Sequence, residues 1–132
     1  MVQNGQESWR KAKLKDLCYE ITVGYVGPMA AEYTTQGIPF LRSQNILPFR
    51  LDLSSIKFIS PQFHKKIKKS TLRPGDVAVV RTGYPGTACV IPDQLPEANC
   101  ADLVILRTLP ELDPFYLAYI FNSAWGRGTF HG

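Results

Sequence analysis

The sequence predicts an α+β domain: one globular unit with a mixed, mostly antiparallel curved β-sheet and about three short helices. Three observations predict it. Short apolar, β-branched runs recur along the chain, as strands do. Ten glycines and ten prolines stand between these runs as punctuation rather than gathering in a linker. A few stretches carry helix-start signals or helical spacing of apolar residues. A length of 132 residues suits one hydrophobic core. A hydrophobic content of 45% is too high for a disordered chain.

In chain order, Lys13–Ile21 is expected to be helical, because Leu14, Leu17, Cys18 and Ile21 fall at i, i+3, i+4 and i+7 and share one face. Gly24, Gly27 and Pro28 then break the pattern into a loop. The apolar run Ile38–Leu41 reads as a strand, Ile46–Leu53 as an extension of that sheet, and Ser54–Ile59 as a weaker strand. Ser60-Pro61 is a helix start: serine caps free N–H groups and proline is tolerated at the first helical position. In that helix Phe63 and Ile67 are expected to face inward, and Pro74-Gly75 to end the element. Val77–Val80 and Thr87–Ile91 read as a hairpin with an extended tip over 81–86, and Asp102–Arg107 as a further strand. Asp113-Pro114 opens a last helix, Phe115–Ser123, whose aromatic-rich surface predicts firm packing on the sheet.

Several function classes are missing their residues. The chain has no run of 18 apolar residues, and Met1–Arg10 lacks the apolar stretch of a signal peptide. It reads as soluble, intracellular and cytoplasmic. Cys18, Cys89 and Cys100 form no C-x-x-C pair and read as buried free thiols. Neither His64 nor His131 sits at zinc spacing to a cysteine, so no metal is assigned. No acid is followed two residues later by lysine, as a common type of metal-dependent nuclease requires. A methyltransferase would need a glycine-rich cofactor loop and an Asn/Asp-Pro-Pro-aromatic motif; Asp113-Pro114-Phe115 lacks the second proline. A phosphate loop is absent, and two histidines support no Ser/His/Asp arrangement. No catalytic residue and no cofactor is therefore expected.

The net charge of +4 is unevenly distributed. From Tyr33 to Gly75, eight basic residues face a single acid, Asp52, for a local charge of +7. The remainder holds seven basic and ten acidic residues, a charge of −3. A basic block on a mildly acidic body is the pattern of a polyanion-binding face, or else of a solvated lysine-rich helix.

Four segments are candidates for contact. Gly24–Pro28 carries Tyr25 on a glycine-flanked loop, which is either a contact loop or a plain turn with a packed tyrosine. Arg42, Ser43, Gln44 and Asn45 follow a strand. Arginine bonds bidentately to guanine, and glutamine and asparagine to adenine; a turn with satisfied Asn and Ser is the alternative. Lys65, Lys66, Lys68 and Lys69 suit phosphates, which position a protein on DNA without reading sequence. Arg81, Thr82 and Tyr84 occupy a hairpin tip able to enter a groove, unless Arg81 merely pairs with an acid such as Asp76.

The order of several strings resembles a known family. Trp9, Leu14-Lys15-Asp16-Leu17-Cys18 and Ile21-Thr22-Val23-Gly24 look like the opening of a target-recognition domain of a Type I restriction-modification specificity subunit. Gly37-Ile38-Pro39-Phe40-Leu41-Arg42-Ser43-Gln44-Asn45-Ile46 resembles that family's GIPFLR-x-x-NI segment. Leu72-Arg73-Pro74-Gly75-Asp76-Val77, then Arg81-Thr82-Gly83 with Gly86, and then Asp113-Pro114 through Asn122-Ser123 resemble its later segments. The resemblance runs from about residue 9 to 125. It implies one recognition domain over 1–132 that reads half of a split double-stranded DNA target, and no catalysis of its own. It also implies methyltransferase and motor-nuclease subunits as partners, with S-adenosylmethionine bound by the methyltransferase and not here. No spacer helix or second recognition domain is read in these residues. Two other readings stay open: an RNA-binding β-rich module, which would stack bases on exposed aromatics, and a protein-interaction domain.

Overall fold

A computed structural model of the chain describes residues 14–82 and 85–123. Among these the strands divide into two four-stranded sheets and a two-stranded hairpin, mostly antiparallel, joined by short helices. The class is α+β. No helix among the described residues is long and apolar enough to cross a membrane.

The first sheet has the order β1-β10-β7-β8, with β1 at Cys18–Val23, β7 at Val77–Val80, β8 at Ala88–Val90 and β10 at Leu103–Thr108. All its pairings are antiparallel. Strand side chains alternate between faces, and over β7, β8 and β10 both faces are covered, while edge strand β1 is mostly exposed. Ala78, Val80, Cys89, Leu103 and Ile105 lie in one hydrophobic cluster with Leu41, Ile46 and Leu72. Val77, Val79, Ala88, Val90 and Leu106 lie in a second cluster with Leu117, Ala118 and Phe121 of the last helix, α3 (Pro114–Asn122). That is why Val77–Val80 is an unbroken apolar run, buried throughout. Burying each large aliphatic side chain contributes about 1.5–3 kcal/mol.

The second sheet has the order β2-β6-β3-β9, with β2 at Tyr33–Thr34, β3 at Ile38–Leu41, β6 at Lys57–Ile59 and β9 at Asn99–Cys100. Its β3–β9 pair is parallel. Between β3 and β6 runs the hairpin of β4 (Ile46–Leu47) and β5 (Arg50–Leu51). Helix α2 (Pro61–Lys66) follows β6 and continues into a 3-10 turn over Lys68–Ser70. The expected cap is present: Phe63 N–H donates to the Ser60 hydroxyl at 3.1 Å. At α3, Phe115 N–H donates to the Asp113 carboxylate at 3.0 Å.

Four expectations change. Of the helix expected over Lys13–Ile21, the described residues are helical at 14–17 (α1), after which Cys18–Val23 pairs with β10. Strand pairing and the β-branched Ile21, Thr22 and Val23 outweigh the helical spacing. Ile46–Leu53 folds back on itself at Pro48-Phe49 instead of extending a sheet. In α2 the residue buried is His64, while Phe63 and Ile67 are only half-buried. Helix α3 buries Leu117, Ala118 and Phe121 but leaves Phe115, Tyr116 and Tyr119 exposed, so its packing is one-sided. Asn122 completes that packing: its amide bonds both the N–H (2.9 Å) and the C=O (2.8 Å) of Ala88 on edge strand β8.

Candidate nucleic-acid interface

The segment from Ala98 to Asp102 organises the candidate residues. Its N-terminal end pairs with the stretch after the lysines, through Leu72 N–H to Ala98 O at 2.8 Å and the reciprocal bond at 3.1 Å. Its middle receives Tyr25, whose N–H donates to Cys100 O at 2.8 Å. Ala101 N–H donates to Leu41 O at 3.1 Å, which brings in the strand end before Arg42. At its C-terminal end Asp102 takes an ion pair from Arg81 at 3.2 Å. Three loops and the lysine segment, distant in sequence, thus meet along one edge.

Asn99 holds this edge from within. It is fully buried. Its Oδ1 accepts from Ser70 Oγ (2.6 Å) and from Cys100 N–H (2.8 Å), and its Nδ2 donates to Ile67 O (3.0 Å). The backbone partners fix which end of the amide is nitrogen. The Nδ2 group also lies 3.0 Å from His64 Nδ1, which must therefore accept. His64 then carries its proton on Nε2, which faces Glu97 at 3.3 Å. Asn99 so ties α2 and the 3-10 turn, the carriers of Lys65, Lys66, Lys68 and Lys69, to the sheet. All four lysines are exposed.

Tyr25 is half-buried, and its ring meets Phe63 edge-on at 5.5 Å. The ring lies over Gly27, where any Cβ would collide with it, and a Cβ on Gly24 would meet Cys100 Sγ at 2.9 Å. Both glycines allow close approach rather than loop mobility. Tyr25 therefore fastens its loop to the lysine helix.

The 42–45 segment divides by role. Ser43–Asn45 is a 3-10 turn in which Asn45 is buried. Asn45 Oδ1 accepts from Arg42 N–H (2.8 Å) and its Nδ2 donates to Asp52 O (2.9 Å). With its amide spent on the backbone, Asn45 is scaffold, which corrects its expected place among base-reading side chains. Arg42 donates through Nη2 to Ser55 O at 2.9 Å, and its Nε is buried without a partner. Ser43 is half-buried and Gln44 exposed.

Arg81 and Thr82 are exposed at the end of β7. Arg81 pairs with Asp102 rather than with Asp76. Both partners are near half exposed, so the pair is worth about 0–1 kcal/mol and is readily exchanged. Asp76 instead belongs to Arg107, at 3.4 Å. Arg107 also bonds Glu20 at 2.8 Å and Thr71 O. Burial pushes the Asp76 carboxyl above its ordinary value, against the opposing Arg73 N–H bond and Arg107 charge. Burial likewise pushes the thiols of Cys18 and Cys89 up to about 11 and that of Cys100 to about 12. Tyr84, Gly83, Trp9 and Lys13 lie outside the described residues.

Sequence reasoning missed Asn99 and the 98–102 segment. The available signal was one amide set among small residues, Ala98-Asn99-Cys100-Ala101.

Comparison with solved structures finds this architecture elsewhere. A structure of complex assembly and conformational transition in the type I R-M system matches with a TM-score of 0.65 at 21% identity, over 89% of this chain and 27% of that one. The HsdS subunit from Thermoanaerobacter tengcongensis matches with a TM-score of 0.62 at 22% identity, over 85% of this chain and 26% of its own. The chain shares its fold with part of an HsdS subunit. It spans about a quarter of each of those longer chains. The proteins sharing the fold are of the same kind as the family that the sequence strings resemble. No family model and no curated protein sequence matches the chain.

Proposed function

We propose that the chain is a DNA target-recognition domain of a Type I restriction-modification system, reading one half of a bipartite duplex target without catalysing a reaction itself. The observation that carries this reading is the convergence of Tyr25, the strand end at Leu41 just before Arg42, Arg81 and the lysine segment on Ala98–Asp102. In this reading Lys65, Lys66, Lys68 and Lys69 contact phosphates, which supply affinity but no sequence information. Gln44, Arg81 and Thr82 contact base edges, and Ser43, Arg42 and Tyr84 are further candidates for that contact. Arg81 would leave Asp102 for guanine at little cost, because an exposed pair is weak. We further propose that it works in the cytoplasm within a larger assembly with methyltransferase and motor-nuclease subunits; a fold shared with a structure of type I R-M complex assembly supports the assembly.

The test is fluorescence anisotropy of the chain with a random-sequence DNA duplex across a salt series, with RNA of equal length as competitor. Expected are duplex preference and an affinity falling by about 0.9 log units per decade of salt for each phosphate contacted. RNA preference would favour the RNA-binding alternative. No binding at low salt would overturn the reading for this chain and leave the protein-interaction alternative.

A further inference from the structure

The β4–β5 hairpin turns on Pro48-Phe49, between the paired Leu47 and Arg50. Phe49 has φ +66°, in the left-handed region. A proline followed by a residue with positive φ is the pattern of a type II turn, whose third position calls for glycine or asparagine. Phenylalanine there is strained, because its Cβ crowds the backbone.

Packing does not explain the ring. Phe49 is 47% exposed and belongs to neither hydrophobic cluster. Its backbone does the anchoring: Phe49 N–H donates to Ala88 O at 3.0 Å, and Asn122 bonds the same carbonyl. Glycine or asparagine would make the same backbone bond without the strain. Ala88 pairs with Val79, two residues before Arg81, so the tip stands beside the base of the 81–87 loop. Arg50, exposed, follows at once, and exposed Gln44 lies in the turn that leads into the hairpin.

We infer that Phe49 is a base-contacting residue of the DNA interface, held out in a strained turn to present an apolar surface to the duplex while Arg50 meets the backbone. The inference rests on the DNA reading above. A phenyl ring has nothing to offer a phosphate. On a duplex it recognises an apolar surface, either a thymine methyl in the major groove or the face of a base pair at an opened step. Strain kept at an exposed position is expected where the side chain is used rather than packed.

The experiment compares the unchanged chain with Phe49→Asn and Phe49→Gly. Duplexes are first enriched from a random-sequence pool with the unchanged chain. Both variants should melt at the same or a higher temperature, since the turn relaxes. Both should bind the enriched duplexes at least tenfold more weakly, with unchanged affinity and salt slope on the random pool. Enriched duplexes made with uracil for thymine separate the two contacts: loss with the unchanged chain assigns the methyl, and retained binding assigns the ring face. Variants that melt lower yet bind the enriched duplexes equally well would overturn the inference alone, making Phe49 structural. An unchanged chain that binds no duplex, or enriches none, would overturn the DNA reading and this inference together.

Discussion

The two four-stranded sheets are held by different chemistry. In the first sheet β10, β7 and β8 are covered on both faces by Val, Ile, Leu and Ala, and β1 and β10 run six residues each. The β2-β6-β3-β9 sheet has two strands of two residues, and a few side-chain amides do what strand length does in the first. Asn99 ties β9 to the 3-10 turn and α2, and Asn45 ties the turn after β3 to Asp52. An apolar layer spreads its stabilisation over many small contacts, whereas an amide network concentrates it in few residues. The contact candidates hang on the second region and on strand ends of the first, so the more polar region carries the proposed function.

The comparison breaks first at the one buried ionic group of the apolar sheet. Arg107→Met should strand Asp76 and Thr71 O and lower stability by about 3–5 kcal/mol in urea unfolding. Adding Asp76→Asn should recover part of that loss, because the uncompensated charge is gone. A single-variant loss below about 1 kcal/mol would mean that the apolar layer carries this sheet without the ions.

Asn99→Ala should cost about 2–3 kcal/mol, because several buried groups lose their partner. It should also weaken duplex binding, since the lysine segment loses its tie to the sheet. Stability lost with DNA affinity intact would show that the lysines need no fixed platform. Lys68→Ala should leave the melting temperature unchanged and lower the salt slope by about 1, equally on all sequences. A sequence-selective loss would move Lys68 from phosphate contact to base contact.

The smallest expected effect is a titration. Burial raises the Asp76 carboxyl in the folded state, so the folded state holds its proton more tightly than the unfolded chain. Its contribution to stability is then complete below the unfolded value of about 4 and is lost as pH rises through the folded value. Asp76→Asn should flatten stability against pH in that acid window, as read by thermal melts from about pH 3 to 7. An unchanged profile would mean that the ion pair with Arg107 cancels the burial.

The elements legible in advance were those whose cause is local. Ser60 and Asp113 cap their helices from within three residues. Ile38–Leu41 and Val77–Val80 are strands because they are apolar and β-rich, and buried on the faces available. The lysines were legible as exposed, since charge avoids the core. Asn99 was not legible. Its partners Ser70, Ile67 and His64 lie 29, 32 and 35 residues away, and no spacing rule links them. For the same reason Arg81 found Asp102, 21 residues on, instead of Asp76 nearby.

Sequence alone determined the class, the caps, the apolar strands and a basic block on a mildly acidic body, because each follows from residue type over a short window. Only the tertiary structure decided that three loops and the lysine segment share one edge. It likewise decided that Asn45 is spent on the backbone, that α3 leaves three of its four aromatics in solvent, and that Phe49 takes a left-handed backbone conformation. These depend on which strands pair and in what register, which closes contacts across tens of residues that no local pattern encodes.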